Sequence, residues 1–333
     1  MSMKICFLIH ERTPLLQAVN AYILANACCT LGYETSFAFT DSLACYDGKV
    51  RARMARLKGP FAEHMSFDEM PFADGSLASF DILWILSFGT RNTFSDRMQL
   101  LKLLPPSVRI VNSLDSLLFM HSKISHLHLD GLMQCPETHI SSDAEALWTI
   151  VDKSNAEWVI KPVAESLGRS VFKLVRGDTN IKPLLQAMTG EDGSRYCLLQ
   201  RYLPEVTKGE KRVLVAGGEV IGQYFRKPTA GDHRGNLHQG GQPTLCDLTA
   251  EERAGCQRVA GYLLEQGVYF AGLDISWPWL IEWNVVNPGG IATIEKLGGE
   301  NLAKTVVQKV LNAAAGHKAE APAGKRPKKS AAS

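Results

Sequence analysis

An α/β chain whose second part is α+β is the fold class this sequence predicts, and three observations carry the prediction. Residues 3–10, MKICFLIH, form a continuous apolar run, the pattern of a parallel strand buried on both faces. Strand-like and helical segments then alternate up to about residue 112, as an open sheet requires. Residues 270–290, FAGLDISWPWLIEWNVVNPGG, carry a period of two and read as two short strands folded back on each other. At 333 residues, 45% hydrophobic and 21% charged, the chain has material for two or three lobes with sizeable cores.

In the first part, residues 17–31 have helical spacing and Gly32 is placed to stop them. Strands are expected at 35–40, at 80–86 (FDILWIL follows Ser79) and at 108–111, with a helix at 97–104 ended by Pro105-Pro106. No GxGxxG follows the first strand, which argues against a dinucleotide fold. Ligands of open sheets bind at the carboxyl ends of strands, so residues 10–13 and 87–92 are candidate substrate loops, or plain surface loops.

Beyond Asn112 the pattern turns helical over 113–127, placing Lys123 on a helix. Two β-rich runs within 148–175 flank a short polar loop, and Lys161 ends the first of them. Residues 196–202, 212–215 and 219–225 read as an antiparallel meander with a hairpin turn at Gly217-Gly218. The polar, glycine-rich stretch 232–241 suits no regular element. A helix over 251–266 is capped by Thr249, and an amphipathic helix spans 300–314. From residue 315 the chain reads as a disordered basic tail.

The formal net charge is +2, part of it in that tail, so a nucleic-acid role gains no support. The eight cysteines show no CxxC and no ligand spacing, which suits reduced thiols in the cytoplasm, most of them buried. Neither an export signal nor a membrane-spanning run is expected.

Chemistry concentrates in the final hairpin. Leu273, Ile275, Ile281, Trp283 and Val285 share one parity, and Asp274, Glu282 and Asn284 the other. A connection centred on Pro278 sets Asp274 opposite Glu282, with Asn284 beside them. Two carboxylates so close repel, and a hard divalent cation held by oxygen donors relieves that; Mg²⁺ or Mn²⁺ fits better than zinc. An ordinary solvated hairpin face remains the other reading of this stretch. Elsewhere, the turn at 165–170 can present N–H groups to phosphate, although Gly168 is its single glycine. Lys123, Lys211-Arg212, Arg226-Lys227 and Arg234 add cations of the kind phosphoryl chemistry uses.

The order Lys123, Lys161-Pro162, Gln200-Arg201-Tyr202-Leu203-Pro204, Lys211-Arg212-Val213, Arg234-Gly235-Asn236-Leu237 with Gly240-Gly241, Gly272-Leu273-Asp274, Glu282-Trp283-Asn284 resembles the ATP-grasp ligases. Within that superfamily it is most similar to bacterial glutathione synthetase, with RimK-type amino-acid ligases close behind. The resemblance runs from about residue 108 to 311 and covers seven blocks. It implies an ATP-grasp fold: a pre-ATP-grasp α/β substrate lobe over 1–112 and an ATP-grasp domain over 113–314. That domain would comprise a central lid lobe at about 135–200 and a catalytic lobe at about 200–314, with the tail at 315–333.

By the same resemblance, Lys123 and Lys161 would hold ATP phosphates together with Ser166, Gly168 and Arg169 of the mobile loop. The backbone of Gln200, Arg201, Tyr202 and Leu203 would meet the adenine. Asp274, Glu282 and Asn284 would bind two Mg²⁺ ions. Arg212, Arg226, Arg234 and Asn236 would position the substrate carboxylate and stabilise an acyl phosphate, which an amine then attacks. A small or peptide carboxylate plus an amino acid would be the substrates, and a homo-oligomer is compatible. Two stretches depart from glutathione synthetase. The 164–170 loop, AESLGRS, is poor in glycine, and SFGTRNTF at 87–94 stands where that family has an Asp-Pro-Pro loop. The first leans toward the RimK pattern, as does NPGGIATIEKLGG. The readings that follow are a glutathione synthase, a RimK-like ligase and a catalytically silent ATP-binding regulator.

Overall fold

The computed structural model describes residues 2–13, 19–61, 67–127, 129, 131–163, 170–190, 192–227, 242–298 and 301–316. Strand β1 (Lys4–Ile9) lies between β2 (Glu34–Phe39) and β6 (Ile82–Ile85), and β6 pairs with β7 (Arg109–Val111), all in parallel. Five of the six residues of β1 are fully buried, because helices cover both faces of the sheet there. Helix α1 (Asn20–Thr30) and helix α2 (Phe94–Lys102) are the expected helical segments. The seven-stranded sheet is larger than expected: β3 (Ala44–Tyr46), β4 (Lys49–Arg56) and β5 (Ala73–Ser76) add an antiparallel edge. Arginines and lysine in β4, KVRARMAR, mask its alternation, yet Val50 and Ala52 are buried and Arg51 and Arg53 are not.

The expected helix over 113–127 is short. It closes as α3 (Leu114–Phe119), and Lys123 sits in a turn. Serines account for this: the Ser125 hydroxyl donates to the Met120 and Ser122 carbonyls, and Ser122 accepts from the Ile124 N–H. Such local bonds compete with helical ones.

A four-stranded antiparallel sheet follows, ordered β10 (Phe172–Leu174), β9 (Trp158–Pro162), β11 (Cys197–Arg201), β8 (Thr138–Ser141). Helices α4 (Ala144–Lys153) and α5 (Ile181–Thr189) cover its face around Trp158 and Leu185. The expected meander is therefore split: β11 belongs to this sheet, and the next strands begin another. Pro204 opens a short 3-10 turn that separates the two.

The third sheet runs β14 (Gln242–Thr244), β13 (Glu219–Lys227), β12 (Glu210–Ala216), β15 (Phe270–Ser276), β16 (Trp279–Asn284). The β12–β13 turn uses Gly217 and Gly218 at φ +58° and +80°, the two left-handed positions of a tight hairpin. Helix α6 (Ala250–Glu265) packs on this sheet, and α7 (Ile291–Gly298) and α8 (Leu302–Gly316) link it to α1. Thr249 and Glu252 form a reciprocal cap on α6. Thr249→Ala is expected to cost about 1 kcal/mol in urea unfolding; no measurable loss would show that the cap is redundant.

Asn112 fastens the first sheet to the third. Its Oδ1 accepts from the Tyr269 and Phe270 N–H groups at 2.7 and 2.9 Å, and its Nδ2 donates to the Phe270 and Val285 carbonyls at 2.9 and 2.6 Å. The side chain is buried, and all of its principal bonding capacity is used. None of the eight cysteines is in a disulfide; Cys6, Cys28, Cys197 and Cys256 are buried, the others half-buried. Among the described residues, no helix is long and apolar enough to cross a membrane.

Candidate active site

Asp274 stands directly opposite Glu282, and Gly272 opposite Asn284, so the polar parity of the hairpin forms one face as expected. A bulge after Asp274 changes the pairing beyond it: Ile275 meets Leu280. Leu280 is fully buried and Ile281 only half-buried, which corrects the expected apolar floor. An extra residue in one strand moves the next side chain to the other face.

Strand β12 brings the cations. Arg212 pairs across the ladder with Asp274, and Glu210 with Arg226. The Arg212 Nε lies 2.7 Å from Asp274 Oδ1, its Nη2 donates to Oδ2 at 3.2 Å, and Arg226 Nη2 reaches Oδ1 at 2.5 Å. Arg226 also pairs with Glu210 at 2.7 Å. Burial alone would lower the Arg226 pKa, but Asp274 and Glu210 outweigh it and raise it. Burial pushes the Glu210 carboxyl up against the pull of Arg226. Alternation sends Lys211 to the opposite face, where it pairs with Glu252 at 2.6 Å; Lys227 is exposed. Neither belongs to the cation cluster that the sequence suggested.

Gly272 makes room for Arg212. A Cβ there would lie 2.5 Å from Arg212 Nη1 and 3.0 Å from Pro288 Cβ. Asn20, at the start of α1, donates to Asn287 Oδ1 and the Pro288 carbonyl at 2.7 and 2.9 Å, tying the first sheet's helix to this rim.

The four-stranded sheet contributes the other side. Lys161 is buried, not a solvated surface charge, and its Nζ donates to Gln200 Oε1 at 2.9 Å. Gln200 Nε2 donates in turn to the Thr138 hydroxyl at 3.0 Å. Burial lowers the Lys161 pKa to about 8. Lys123 donates its N–H to the Val163 carbonyl at 2.9 Å, and its Nζ lies 3.5 Å from Glu282 Oε2. Burial would raise the Glu282 pKa, but Lys123, Lys161 and Arg212 together hold it down to about 2. His126 is fully buried with its ring 6.1 Å from Trp283; burial and the nearby Lys161 depress it to about 3, so it is neutral.

Lys123, Lys161, Gln200, Arg212, Arg226, Asp274, Glu282 and Asn284 thus converge. Arg201 does not: its side chain is more than half exposed, 3.9 Å from Glu137. Tyr202 lies under the Lys173 ammonium at 3.9 Å, and Leu203 is buried. The Arg201 and Tyr202 N–H groups already donate to the Glu137 and Glu157 carbonyls. Ser166, Gly168, Arg169, Arg234 and Asn236 lie outside the described residues. Glu210, Thr138 and His126 are site residues that sequence reasoning missed. Glu210 was legible, since 210 and 212 share parity on one strand.

The donor set suits a hard divalent cation. Both carboxylates face cations, and Asn284 uses Nδ2 toward Asp274 at 3.4 Å, leaving an amide oxygen as a ligand atom. Among the described residues, no three His, Cys, Asp or Glu side chains form a metal cluster. A cation here would complete its shell with phosphate oxygens.

Residues 122–299 match the model of the prokaryotic glutathione synthetase ATP-grasp domain. The glutathione synthetase of Agrobacterium fabrum is 30% identical over 275 residues, 82% of this chain and 84% of that protein. That of Gloeobacter violaceus is 35% identical over 187 residues, 56% of each. The crystal structure of the D-cycloserine synthetase DcsG superposes with a TM-score of 0.64 at 12% identity, covering 92% of this chain and 99% of that one. A RimK domain ATP-grasp protein from Sphaerobacter thermophilus gives 0.59 at 16%, with the same coverage.

Proposed function

This chain belongs to the prokaryotic glutathione synthetase ATP-grasp family, and from that footing we propose that it makes glutathione from γ-glutamylcysteine and glycine. It is an ATP-grasp ligase, an enzyme forming a carbon–nitrogen bond. The observation that carries the proposal is the opposed arrangement of Asp274, Glu282 and Asn284 with Lys123, Lys161, Arg212 and Arg226. We assign residues 1–112 to a substrate lobe and 113–314 to the ATP-grasp part, in a cytoplasmic protein.

In this reading Lys123 and Lys161 bind the ATP phosphates, and Asp274, Glu282 and Asn284 hold Mg²⁺. When bound, the ion supplies positive charge to the phosphoryl oxygens. A carboxylate oxygen of the dipeptide attacks the γ-phosphorus and ADP leaves. The amine of glycine then attacks the acyl carbon, loses a proton and expels phosphate. Arg212 and Arg226 stabilise the charge that develops on the acyl phosphate, a role supported by their burial, which strengthens a contact to charge. The reading is tested by ADP release with γ-glutamylcysteine plus glycine, then with a panel of amino acids. Turnover with the panel but not with glycine would replace glutathione by a RimK-like reaction, which AESLGRS at 164–170 and NPGGIATIEKLGG at 287–299 favour. No ADP release with any pair would leave the silent regulator.

Lys161 supplies a pH test. The phosphate site uses its ammonium form, which in the free protein is lost above about pH 8. ATP affinity in calorimetric titrations is therefore expected to hold below pH 8 and weaken as the pH rises through it. Lys161→Arg, charged throughout, removes that dependence. The free protein gains stability over the same rise, because the unfolded chain binds the extra proton there. An ATP affinity flat across pH 8 in the wild type would exclude Lys161 from the phosphate site.

A further inference from the structure

The ligase chemistry leaves one feature of the first sheet unused. Strand β1 is flanked by β2 on one side and β6 on the other, so the topological switch point lies at the carboxyl ends of β1 and β6. The two candidate substrate loops, 10–13 and 87–92, leave the sheet there, and Asp41 joins them.

Asp41 Oδ1 accepts from the Thr90 N–H at 3.0 Å, the Thr90 hydroxyl at 2.7 Å and Arg97 Nη2 at 2.6 Å. His10 Nε2 lies 3.2 Å from Oδ2. Arg97 donates through Nη1 to the Phe88 and Thr90 carbonyls, both at 2.8 Å. The His10 Nδ1 accepts the Arg12 N–H at 3.0 Å. Gly89, at φ +67°, lets the loop wrap this pair: a Cβ would fall 2.5 Å from Arg97 Nη1 and 2.6 Å from Asp41 Oδ1. Arg97, on α2, is buried, and these contacts tie the helix to Asp41 and to the two loops, so their consequence is shape.

The shape reaches the phosphate side. Phe88, whose carbonyl Arg97 holds, packs edge-on against Phe94 at 4.7 Å and His121 at 5.5 Å; Phe94 and His121 lie 4.9 Å apart. His121 is two residues from Lys123. Outward, the loop presents Thr90, Arg91 and Asn92, all exposed.

We propose that Asp41 is a positioning residue: it presets residues 87–92 as the recognition face for the carboxylate substrate and, through Phe88 and His121, fixes that face relative to Lys123. The identity of the reacting partners rests on the function proposed above; the mechanical coupling does not.

Asp41→Asn and Thr90→Val test it in the full-length protein, by kinetics and by amide hydrogen exchange. In Asp41→Asn the KM for γ-glutamylcysteine is expected to rise on the order of tenfold, with the KM for ATP within about twofold of wild type. Exchange at 88–92 and 121–123 is expected to quicken on the order of tenfold, with β1 and β6 unchanged. Thr90→Val removes one hydroxyl bond from an exposed residue; it moves both readouts the same way by less, and stands alone if Asp41→Asn does not fold. Unchanged exchange at 121–123, or both KM values rising together, overturns the proposal. A wild-type enzyme inactive on γ-glutamylcysteine would sink the glutathione reading, and exchange would still decide the role of Asp41.

Discussion

Glu282→Gln is expected to lower turnover by at least a hundredfold while leaving the fold intact. The substitution keeps size and removes one negative charge from the face opposite Asp274. A hard cation held by two carboxylates and an amide loses half of its protein charge, and phosphate must then be bound without it. Some stability is lost with the charge, because, against burial, Lys123, Lys161 and Arg212 together hold this carboxyl down to about 2, although the pair with Lys123 is 3.5 Å long and its side chains are 16% and 24% exposed. Asp274 is the worse choice for the experiment, since its loss would strand Arg212 and Arg226 in a buried site. Steady-state rates under a Mg²⁺ titration give the first readout, and Mn²⁺ binding followed by electron paramagnetic resonance a second that needs no turnover. Turnover within a few-fold of wild type at saturating Mg²⁺, with unchanged Mn²⁺ affinity, would remove Glu282 from the metal site.

Asn112→Ala is expected to cost about 4 kcal/mol or more of stability, far above the cap of α6. Four backbone groups, the N–H of Tyr269 and Phe270 and the carbonyls of Phe270 and Val285, lose their partner together. Each unsatisfied buried group costs about 1–3 kcal/mol, and the residue is only 3% exposed, so water cannot readily replace the amide. The bonds join the end of β7 to the start of β15 and the end of β16. Their loss should therefore also loosen the hairpin that carries Asp274 and Glu282. Urea unfolding followed by circular dichroism and tryptophan fluorescence measures it. A cost below about 1 kcal/mol would show that the four groups find other partners.

Periodicity explains what could be read without a structure. The apolar run of β1, the glycine pair at 217–218, the cap at Thr249 and the parity of the final hairpin are local patterns, each decided by a few adjacent residues. The same parity rule that placed Asp274 opposite Glu282 also separates Arg212 from Lys211, and applying it to β12 would have found Glu210. Local serine bonds, by contrast, overrode the helical pattern around Lys123.

By itself, then, the sequence determined the α/β class, the family and the face on which each polar residue of the hairpin lies, because spacing along a strand fixes the side to which it points. Tertiary structure alone decided which strands share a sheet: β11 joins β8 and β9, and β12 starts another, although both runs look alike in sequence. It alone set the buried surroundings that lower Lys161 and keep Glu282 ionised. It alone also drew Asp41, Arg97 and His10 together, and Asn112 with Phe270 and Val285. The reason is physical: alternation tells a side chain which way to face, whereas partners distant in the chain are selected by the burial and hydrogen-bond satisfaction of the folded whole.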